Sequence, residues 1–160
     1  MLWSAGTDRI RLGLSACLLG RKVRYDGGHK LDRFIVQTLG RYVELVPVGL
    51  GVPREAMRLT GDPQAPRLVT ILTGLDHTDR LLTWARHRAA ALAREALWGF
   101  IFKSNSPSCG LEGVKVYPGR GRPVKKGIGL FARVFRKHFP LLPVVDDSRL
   151  HDPELRENFI

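Results

Sequence analysis

The stretch Arg11–Leu18, RLGLSACL, is the first of several short apolar runs that decide the fold class. It leads into a polar segment at residues 25–28, YDGG, whose glycines accept the positive φ angles of a turn. Apolar residues then recur at three- and four-residue spacing from Leu31 to Leu39, and Gly40 is placed to stop a helix there. The stretch therefore predicts a β-strand that leads through a loop into a short helix.

The same alternation of strand and helix patterns continues along the chain. Further strands are predicted over Tyr42–Val48, Arg67–Leu72, Gly99–Lys103, Lys115–Tyr117 and Leu141–Val145. Further helices are predicted over residues 77–97, with Asp76 as cap, over 127–138 and over 153–160. Pro47 predicts that hydrogen bonding of the second strand stops near its end, and residues 49–66 are predicted to be a loop.

Alternating strands and helices predict βαβ units with right-handed crossovers and a mostly parallel sheet. At 160 residues the chain has the length of one domain. We therefore expect a single α/β domain over residues 1–160, with residues 1–9 as a flexible N-terminal extension.

Composition excludes several classes of protein. No window approaches 18 consecutive apolar residues, and the first residues lack the pattern of a signal peptide, so we expect neither a membrane span nor secretion. Two cysteines do not make a disulfide scaffold. A reducing, cytoplasmic location is the resulting expectation.

The positive charge of the chain is concentrated in one segment. The formal net charge is +11, and residues 101–145 contribute nine basic side chains against one acid, Glu112. Part of this segment is a predicted basic loop, GRGRPVKK at 119–126, that could contact phosphates but lacks the aromatics of a single-strand stacking platform. The segment is therefore either a binding surface for an anionic partner, such as a nucleotide or RNA, or an ordinary solvated basic surface.

Both cysteines lie where predicted strands end. Cys17 ends the first strand, and Cys109 lies in the loop that leaves Gly99–Lys103. Ligands of parallel α/β sheets bind at the carboxyl ends of the strands. We therefore expect the two cysteines on one rim, although a cysteine in an apolar strand can also be a small buried hydrophobe.

The strongest local motif is SPSCG at residues 106–110. A serine-rich turn after a buried strand presents hydroxyl and amide groups that suit an anion, an oxyanion or a cluster sulfide. The preceding Lys103 would favour the thiolate form of a nearby thiol, which is its metal-binding and nucleophilic form. The alternative is an ordinary capped turn with an inert cysteine.

A group of polar side chains is predicted to face the same rim. These candidates for binding a substrate or an anion are Arg24, Tyr25, His29, Lys103 and Ser104. The alternative for His29 is a surface or hydrogen-bonding role.

The motifs together resemble the bacterial thiouracil desulfidase family. The resemblance runs from about residue 10 onward and rests on SACLLG, VRYDGGHK, GLGVPRE, FKSNSPSCG, GIGLFAR and LHDPELRENF, in this order. It implies a Rossmann-like, three-layer α/β fold and a 4Fe-4S cluster held by three cysteines. One iron is left open in such a cluster. It would take the sulfur of a thiolated pyrimidine, such as 2-thiouracil or a related nucleotide, while water replaces that sulfur without net redox change.

The resemblance also assigns roles to residues of this sequence. It implies that Cys17 and Cys109 are metal ligands, the first and the last cysteine of the cluster. It implies that Ser106 is the catalytic serine, with Ser108 as the reserve candidate.

The sequence departs from the family pattern at one point. The family has a Cys-Pro-Glu segment after the second strand, whereas here Val48 passes directly to Gly49, and neither the middle cysteine nor the adjacent glutamate has a counterpart. Glu44 and Glu55 flank the gap, and neither is an obvious replacement. Two explanations stay open: the segment is missing from this sequence but present in the natural protein, which the intact remainder of the pattern favours, or the chain is a variant that has lost it.

Overall fold

A parallel sheet of four short strands forms the centre of the molecule. The computed structural model describes residues 9–20, 31–49 and 55–159. Its strands are β1 Arg11–Ser15, β2 Glu44–Val48, β3 Met57–Thr60, β4 Arg67–Thr70, β5 Gly99–Phe102, β6 Val114–Tyr117, β7 Val124–Gly127 and β8 Val144–Asp146. Its α-helices are α1 Arg33–Gln37, α2 Thr78–Leu92, α3 Leu130–His138, α4 Asp147–Leu150 and α5 Pro153–Phe159.

The strands form two sheets. The first has the order β2-β1-β5-β8, and every neighbouring pair in it is parallel. The second has the order β4-β3-β6-β7, with β3 and β6 parallel and the two outer pairs antiparallel. The predicted α/β fold with a parallel sheet is confirmed, and the second, mixed sheet is an addition that the sequence patterns did not predict.

Helices cover both faces of the first sheet and give it the predicted three layers. One face packs Leu14 and Ile101 against Ile35 of α1 and Leu150 of α4. The other face packs Val48 and the phenylalanines of β5 against α2 and α3. This arrangement explains why the strands of this sheet are apolar on both sides.

The β5 strand shows how the sequence specifies this packing. All four of its residues are buried, with Ile101 on one face and Phe100 and Phe102 on the other. Gly13 of the neighbouring β1 makes room for the ring, because a Cβ there would lie 2.4 Å from Cδ2 of Phe100. A small residue beside a large one thus fills the layer without a void.

Two predictions for the first strands are wrong in detail. The first strand ends at Ser15, and residues Ala16–Leu19 form a 3-10 turn instead of continuing it. Pairing of the second strand does not stop at Pro47, which lies opposite Leu14. Because β2 is an edge strand, the missing N–H of proline interrupts no ladder on its outer side.

The predicted loops at 49–66 and 119–126 also need correction. The first contains β3, and the second contributes most of β7, which pairs with β6. Both strands have only four residues and lie next to glycine or proline, so the turn signals outweighed the strand pattern. Residues 50–54 lie outside the described part of the chain.

The predicted helix at 77–97 is shorter than expected. It spans Thr78–Leu92, and the buried stripe ends at Leu92, because the chain must then reverse to enter β5. Ala96, expected on that stripe, is exposed and has a φ of 51°. Gly40 does not stop the first helix, which ends at Gln37, but lies inside a 3-10 turn, Leu39–Arg41.

The prediction that Asp76 caps α2 is wrong by one residue, because the N-cap is His77, which makes no side-chain cap hydrogen bond, and Asp76 precedes it. Oδ1 of Asp76 accepts a hydrogen bond from the amide of Thr78 at 2.9 Å. Hydrogen bonds from the hydroxyl and the amide of Thr78, reinforced by Arg67, lower the pKa of Asp76 to about 2. The carboxylate is therefore ionised throughout the neutral range. Its negative charge stabilises the start of the helix, because it lies near the positive end of the helix dipole.

Of the remaining helices, α5 and α3 were predicted and the short α4 was not. α5 begins at Pro153, as predicted, and α3 begins at Leu130, three residues later than expected. The last strand runs over Val144–Asp146, since Leu141 is 94% exposed. Residues 1–8 of the predicted N-terminal extension and residue 160 of the last helix lie outside the described residues. Within the described ranges, no helix is both long and apolar enough to cross a membrane.

Candidate active site

A cleft opens at the carboxyl ends of the parallel strands. Its volume is about 470 Å³, and its wall includes Ser15 at the end of β1, Val48 at the end of β2 and Lys103 directly after β5. The chain runs from β1 to β2 on one side and then returns past β1 to β5, so the strand order reverses between β1 and β5. The cleft thus occupies the switch point at which sheets of this class bind their ligands.

Both cysteines lie on the wall of this cleft. Cys17 is on the 3-10 turn that follows β1 and is 8% exposed, whereas Cys109 is half-buried in the loop after β5. The parallel sheet therefore brings together two thiols that are 92 positions apart in the sequence. Their role as metal ligands stays a prediction.

The SPSCG turn is organised by its own hydroxyl groups. Oγ of Ser106 accepts hydrogen bonds from the amides of Ser108, at 3.3 Å, and Cys109, at 3.1 Å. It also lies 3.1 Å from Oγ of Ser108, which in turn donates to Sγ of Cys109 at 3.6 Å. The result is a continuous polar chain from Ser106 through Ser108 to the thiol, and both serines line the cleft.

The turn is fixed in place by the start of α3. The amides of Leu130 and Phe131 donate to the carbonyls of Pro107, at 3.1 Å, and Ser108, at 2.9 Å. A Cβ on Gly129 would lie 2.5 Å from the carbonyl carbon of Ser108, so glycine is required for this close approach. The helix amides are thereby used inside the protein, and the turn that carries Cys109 is held rigidly.

Lys103 is held in the cleft by a network that includes an unpredicted residue. Its Nζ donates to the carbonyl and to Oγ of Ser104, both at 3.0 Å, and lies 3.4 Å from Oδ2 of Asp147. Oδ1 of Asp147 accepts from the amide of Ser104 at 2.6 Å. The side chains of Lys103 and Asp147 are only 15% and 17% exposed, so this pair places a fixed charge network at the carboxyl ends of β5 and β8.

Asp147 could have been found from the sequence. It follows the last predicted apolar strand, and ligands of parallel α/β sheets bind at the carboxyl end of this strand as they do beside Cys17 and Cys109. The apolar wall of the cleft, which includes Met57, Trp84 and Phe131, had no such signal. It depends on β3 and on the contact between α2 and α3, which the patterns did not specify.

Asn105 has an unusual backbone conformation at the edge of the cleft. Its φ is 60°, a left-handed value that asparagine tolerates better than most residues do. It lines the active-site cleft and also a second cavity of about 480 Å³. The bend at Asn105 therefore turns the chain from β5 into the SPSCG turn between two concave surfaces.

Three predicted site residues cannot be placed. Arg24, Tyr25 and His29 lie outside the described residues, so the predicted binding group is represented by Lys103 and Ser104, which both line the cleft.

The two glutamates that flank the gap in the family pattern have other partners. Glu44 lies at the amino end of β2 and pairs with Arg11 at 3.3 Å, at the opposite end of the strand from the cleft. Glu55 lines the cleft, but its Oε1 accepts from the amides of Leu72 and Thr73, and its Oε2 from the Thr73 hydroxyl. Neither carboxylate is free to replace the missing glutamate.

The residues present do not supply the three thiolates that the resemblance implies. The whole sequence contains two cysteines. Over residues 9–20, 31–49 and 55–159, no group of three or more histidine, cysteine, aspartate or glutamate side chains could hold a metal ion. Because iron–sulfur clusters are held by thiolates at most of their irons, the donor set of this chain does not fit a three-cysteine site.

The point where the family segment is missing lies on the cleft itself. Val48 and Gly49 both line the cavity, and Val48 pairs with Ser15, which directly precedes the turn that carries Cys17. A cysteine inserted at this junction would therefore enter the same wall. The departure from the family pattern thus falls at the candidate site and not at a remote loop.

Comparisons with known proteins agree on one family. The model of the 2-thiouracil desulfurase family matches residues 12–147. The solved structure of TudS, described as a 4Fe-4S-dependent thiouracil desulfidase, is 27% identical, with a TM-score of 0.71, over 94% of this chain and 99% of that one. No curated protein matches the chain.

Proposed function

This chain belongs to the 2-thiouracil desulfurase family, and from that premise we propose that it is a desulfidase acting on a thiolated pyrimidine such as 2-thiouracil. The observation that carries the proposal is the cleft at the switch point, where Cys17, Cys109 and the Ser106–Ser108 pair lie on one wall. Residues 12–147, which the family match spans, include all of these side chains.

The proposed reaction is a hydrolysis. Water contributes the oxygen that replaces sulfur on the ring carbon, and the sulfur leaves as hydrogen sulfide, so that no electron donor or acceptor is consumed. A cavity of about 470 Å³ is of the size that holds a small ligand. Trp84 and Phe131 on its wall offer apolar contact to a planar base.

The serine pair is proposed to move a proton. Ser106 is the proposed catalytic residue, since its Oγ is linked through Ser108 to the sulfur of Cys109. A hydroxyl chain of this kind can deliver a proton to the departing sulfur while it takes one from the attacking water. Ser108 is the alternative if the order of the two hydroxyls is reversed.

Lys103 and Ser104 are proposed to bind the substrate through charge and hydrogen bonding. The ammonium of Lys103 is fixed by Asp147 and Ser104 at the edge of the cleft. A preorganised cation stabilises negative charge that develops on a leaving atom or on a bound anion.

Two cysteines of the cleft are candidate ligands for an iron–sulfur cluster. TudS is 4Fe-4S-dependent, and Cys17 and Cys109 offer two thiolates for such a cluster in this chain. A third is missing from the sequence, so the residues present do not fit the full ligand set.

The test is product formation by the purified protein. Under anaerobic conditions, 2-thiouracil is expected to yield uracil, as measured by chromatography, and Cys109→Ala is expected to abolish the product. Leu141→Ala is the matched control, because that side chain is 94% exposed and remote from the cleft wall. Failure of the unaltered protein to form uracil from any thiolated pyrimidine overturns the proposal.

A second candidate is a cluster-free protein that binds an anionic partner such as a nucleotide or RNA. It is favoured by the missing third cysteine and by the net charge of +8 over residues 101–145. It predicts no iron and no desulfurisation, together with binding that weakens steeply with salt. An inactive homologue would show neither activity nor binding.

A further inference from the structure

The outer face of the second sheet carries a row of cations. The inner face, with Leu59 and Val116, packs against α2 and α3, so the alternate residues point outward. Leu59 and Val116 are partners in the parallel pair of β3 and β6. Arg58 precedes Leu59 and Lys115 precedes Val116, so these two cations lie at neighbouring positions on adjacent strands. Lys115 in turn lies opposite Lys125 of β7. The three exposed side chains thus occupy neighbouring positions on three adjacent strands.

These charges are not neutralised by the described part of the chain. The ion pairs among the described residues do not include Arg58, Lys115 or Lys125. Glu112, the one acid in residues 101–145, pairs with Arg149 instead. Like charges on directly neighbouring strands cost stability. An anion bound over the row would offset this cost.

The row forms part of a concave surface beside the active-site cleft. A cavity of about 480 Å³ is lined by all three cations and by Tyr117. It shares a set of wall residues with the cleft, namely Met57, Ile71, Asn105 and Pro107. A ligand that extends from the cleft over this shared wall would pass directly onto the cationic row.

The surface also offers a planar group. The guanidinium of Arg58 lies 4.7 Å from the ring centre of Tyr117. Stacked aromatic and guanidinium planes are groups on which unpaired nucleic-acid bases stack. Residues 119–126 contain no aromatic side chain, and Tyr117 supplies one on the same surface.

The charge extends further than a single phosphate requires. The adjoining turn and strand carry further exposed basic side chains: Arg120, Arg122 and Lys126. Several phosphates spaced along a strand match this distribution better than one does.

We propose that this face, the row Arg58–Lys115–Lys125 with Tyr117 and the adjoining basic turn, binds single-stranded RNA. A thiolated base of that strand would then reach the cleft across the shared wall. Delivery of a thiolated base to the cleft rests on the proposed desulfidase function, whereas RNA binding does not.

The test measures binding of a short, labelled, single-stranded oligouridylate without any thiolated base, by fluorescence anisotropy at several salt concentrations. Affinity is expected to fall steeply as salt rises. In the double variant Lys115→Gln, Lys125→Gln it is expected to fall roughly tenfold, with a salt slope shallower by about 0.7 for each lost phosphate contact.

The matched control is Arg80→Gln with Arg86→Gln, which removes the same charge from exposed positions of α2. This helix packs against the inner face of the second sheet, and the control is expected to bind like the unaltered protein. Equal losses in the two double variants, or displacement of the oligomer by UMP at equal nucleotide concentration, overturn the proposal. Because the probe contains no sulfur, its binding is independent of whether the protein is a desulfidase.

Discussion

Ser106 has a structural and a proposed chemical task at the same atom. Its Oγ accepts hydrogen bonds from the amides of Ser108 and Cys109, as a capping side chain does, and it also begins the hydroxyl chain toward the thiol. Ser108 takes part in the second task, but its side chain accepts no backbone amide in this turn. The two serines can therefore be separated by experiment.

Ser106→Ala is expected to lower stability by about 1 kcal/mol, because two amides lose their acceptor. It is also expected to reduce kcat roughly 100-fold, the usual effect of losing a positioned proton-transfer group. Ser108→Ala serves as the comparison and should lose little stability. Urea unfolding and desulfidase kinetics give the two quantities. A larger loss of kcat in Ser108→Ala than in Ser106→Ala would reverse the assigned roles.

The junction of Val48 and Gly49 offers a second test at the scale of one residue. Both residues line the cleft at the position where the family pattern has its middle cysteine. Gly49→Cys is expected to increase the iron bound per chain after anaerobic treatment with ferrous iron and sulfide, because it adds a thiolate to a wall that already holds two. Iron analysis and visible absorbance measure the change.

Gly119→Cys is the control for this variant, since it adds a thiol on the exposed turn beside β7, where nothing lies within 4 Å of the added side chain. If both variants bind equal amounts of iron, the cleft does not define the binding site. The comparison uses iron content alone and does not depend on catalysis.

At the scale of elements, the active-site turn depends on its contact with α3. The carbonyls of Pro107 and Ser108 accept the amides of the first helical turn, and Gly129 lies against the backbone of Ser108 and Cys109. The GIG sequence before the helix is therefore as necessary for the site as the SPSCG motif, although its side chains provide no chemistry.

Gly129→Ala is expected to destabilise the protein by about 1–3 kcal/mol, because the new methyl group overlaps backbone atoms that cannot rotate away. The expected loss of activity is larger than for a surface change, since the turn that carries Cys109 must move. Gly119→Ala has no neighbour within 4 Å and should be close to neutral. Unfolding in urea distinguishes the two variants, and equal stability would show that the turn is not held by this contact.

The elements also show where sequence reasoning succeeds. The fully buried run Gly99–Phe102 and the amphipathic stripe of α2 were predicted, because burial on both sides or on one stripe leaves a clear pattern. β3 was missed because a four-residue strand with one fully buried residue, between glycines and prolines, has too little periodicity to outweigh turn signals. The prediction for Pro47 was wrong for a different reason. Proline is tolerated there because β2 is an edge strand, and the sequence alone does not show which strand lies at the edge.

At the scale of the whole molecule, two sheets meet at one cleft. The parallel sheet contributes the loops with Cys17, Lys103 and Cys109, and the second sheet contributes Met57 to the wall of the same cleft. The sequence predicted the first contribution through the carboxyl-end rule. It did not predict the second, because the position of β3 depends on tertiary pairing with β6 across more than fifty residues.

The most direct test of the proposed desulfidase function follows the oxygen and the sulfur together. The purified protein is incubated anaerobically with 2-thiouracil in water enriched in heavy oxygen, without any oxidant or reductant, and the products are measured by mass spectrometry and a sulfide assay. The hydrolysis proposed here predicts uracil that carries one heavy oxygen, together with an equal amount of sulfide. Unchanged 2-thiouracil, or uracil without the label, would contradict it.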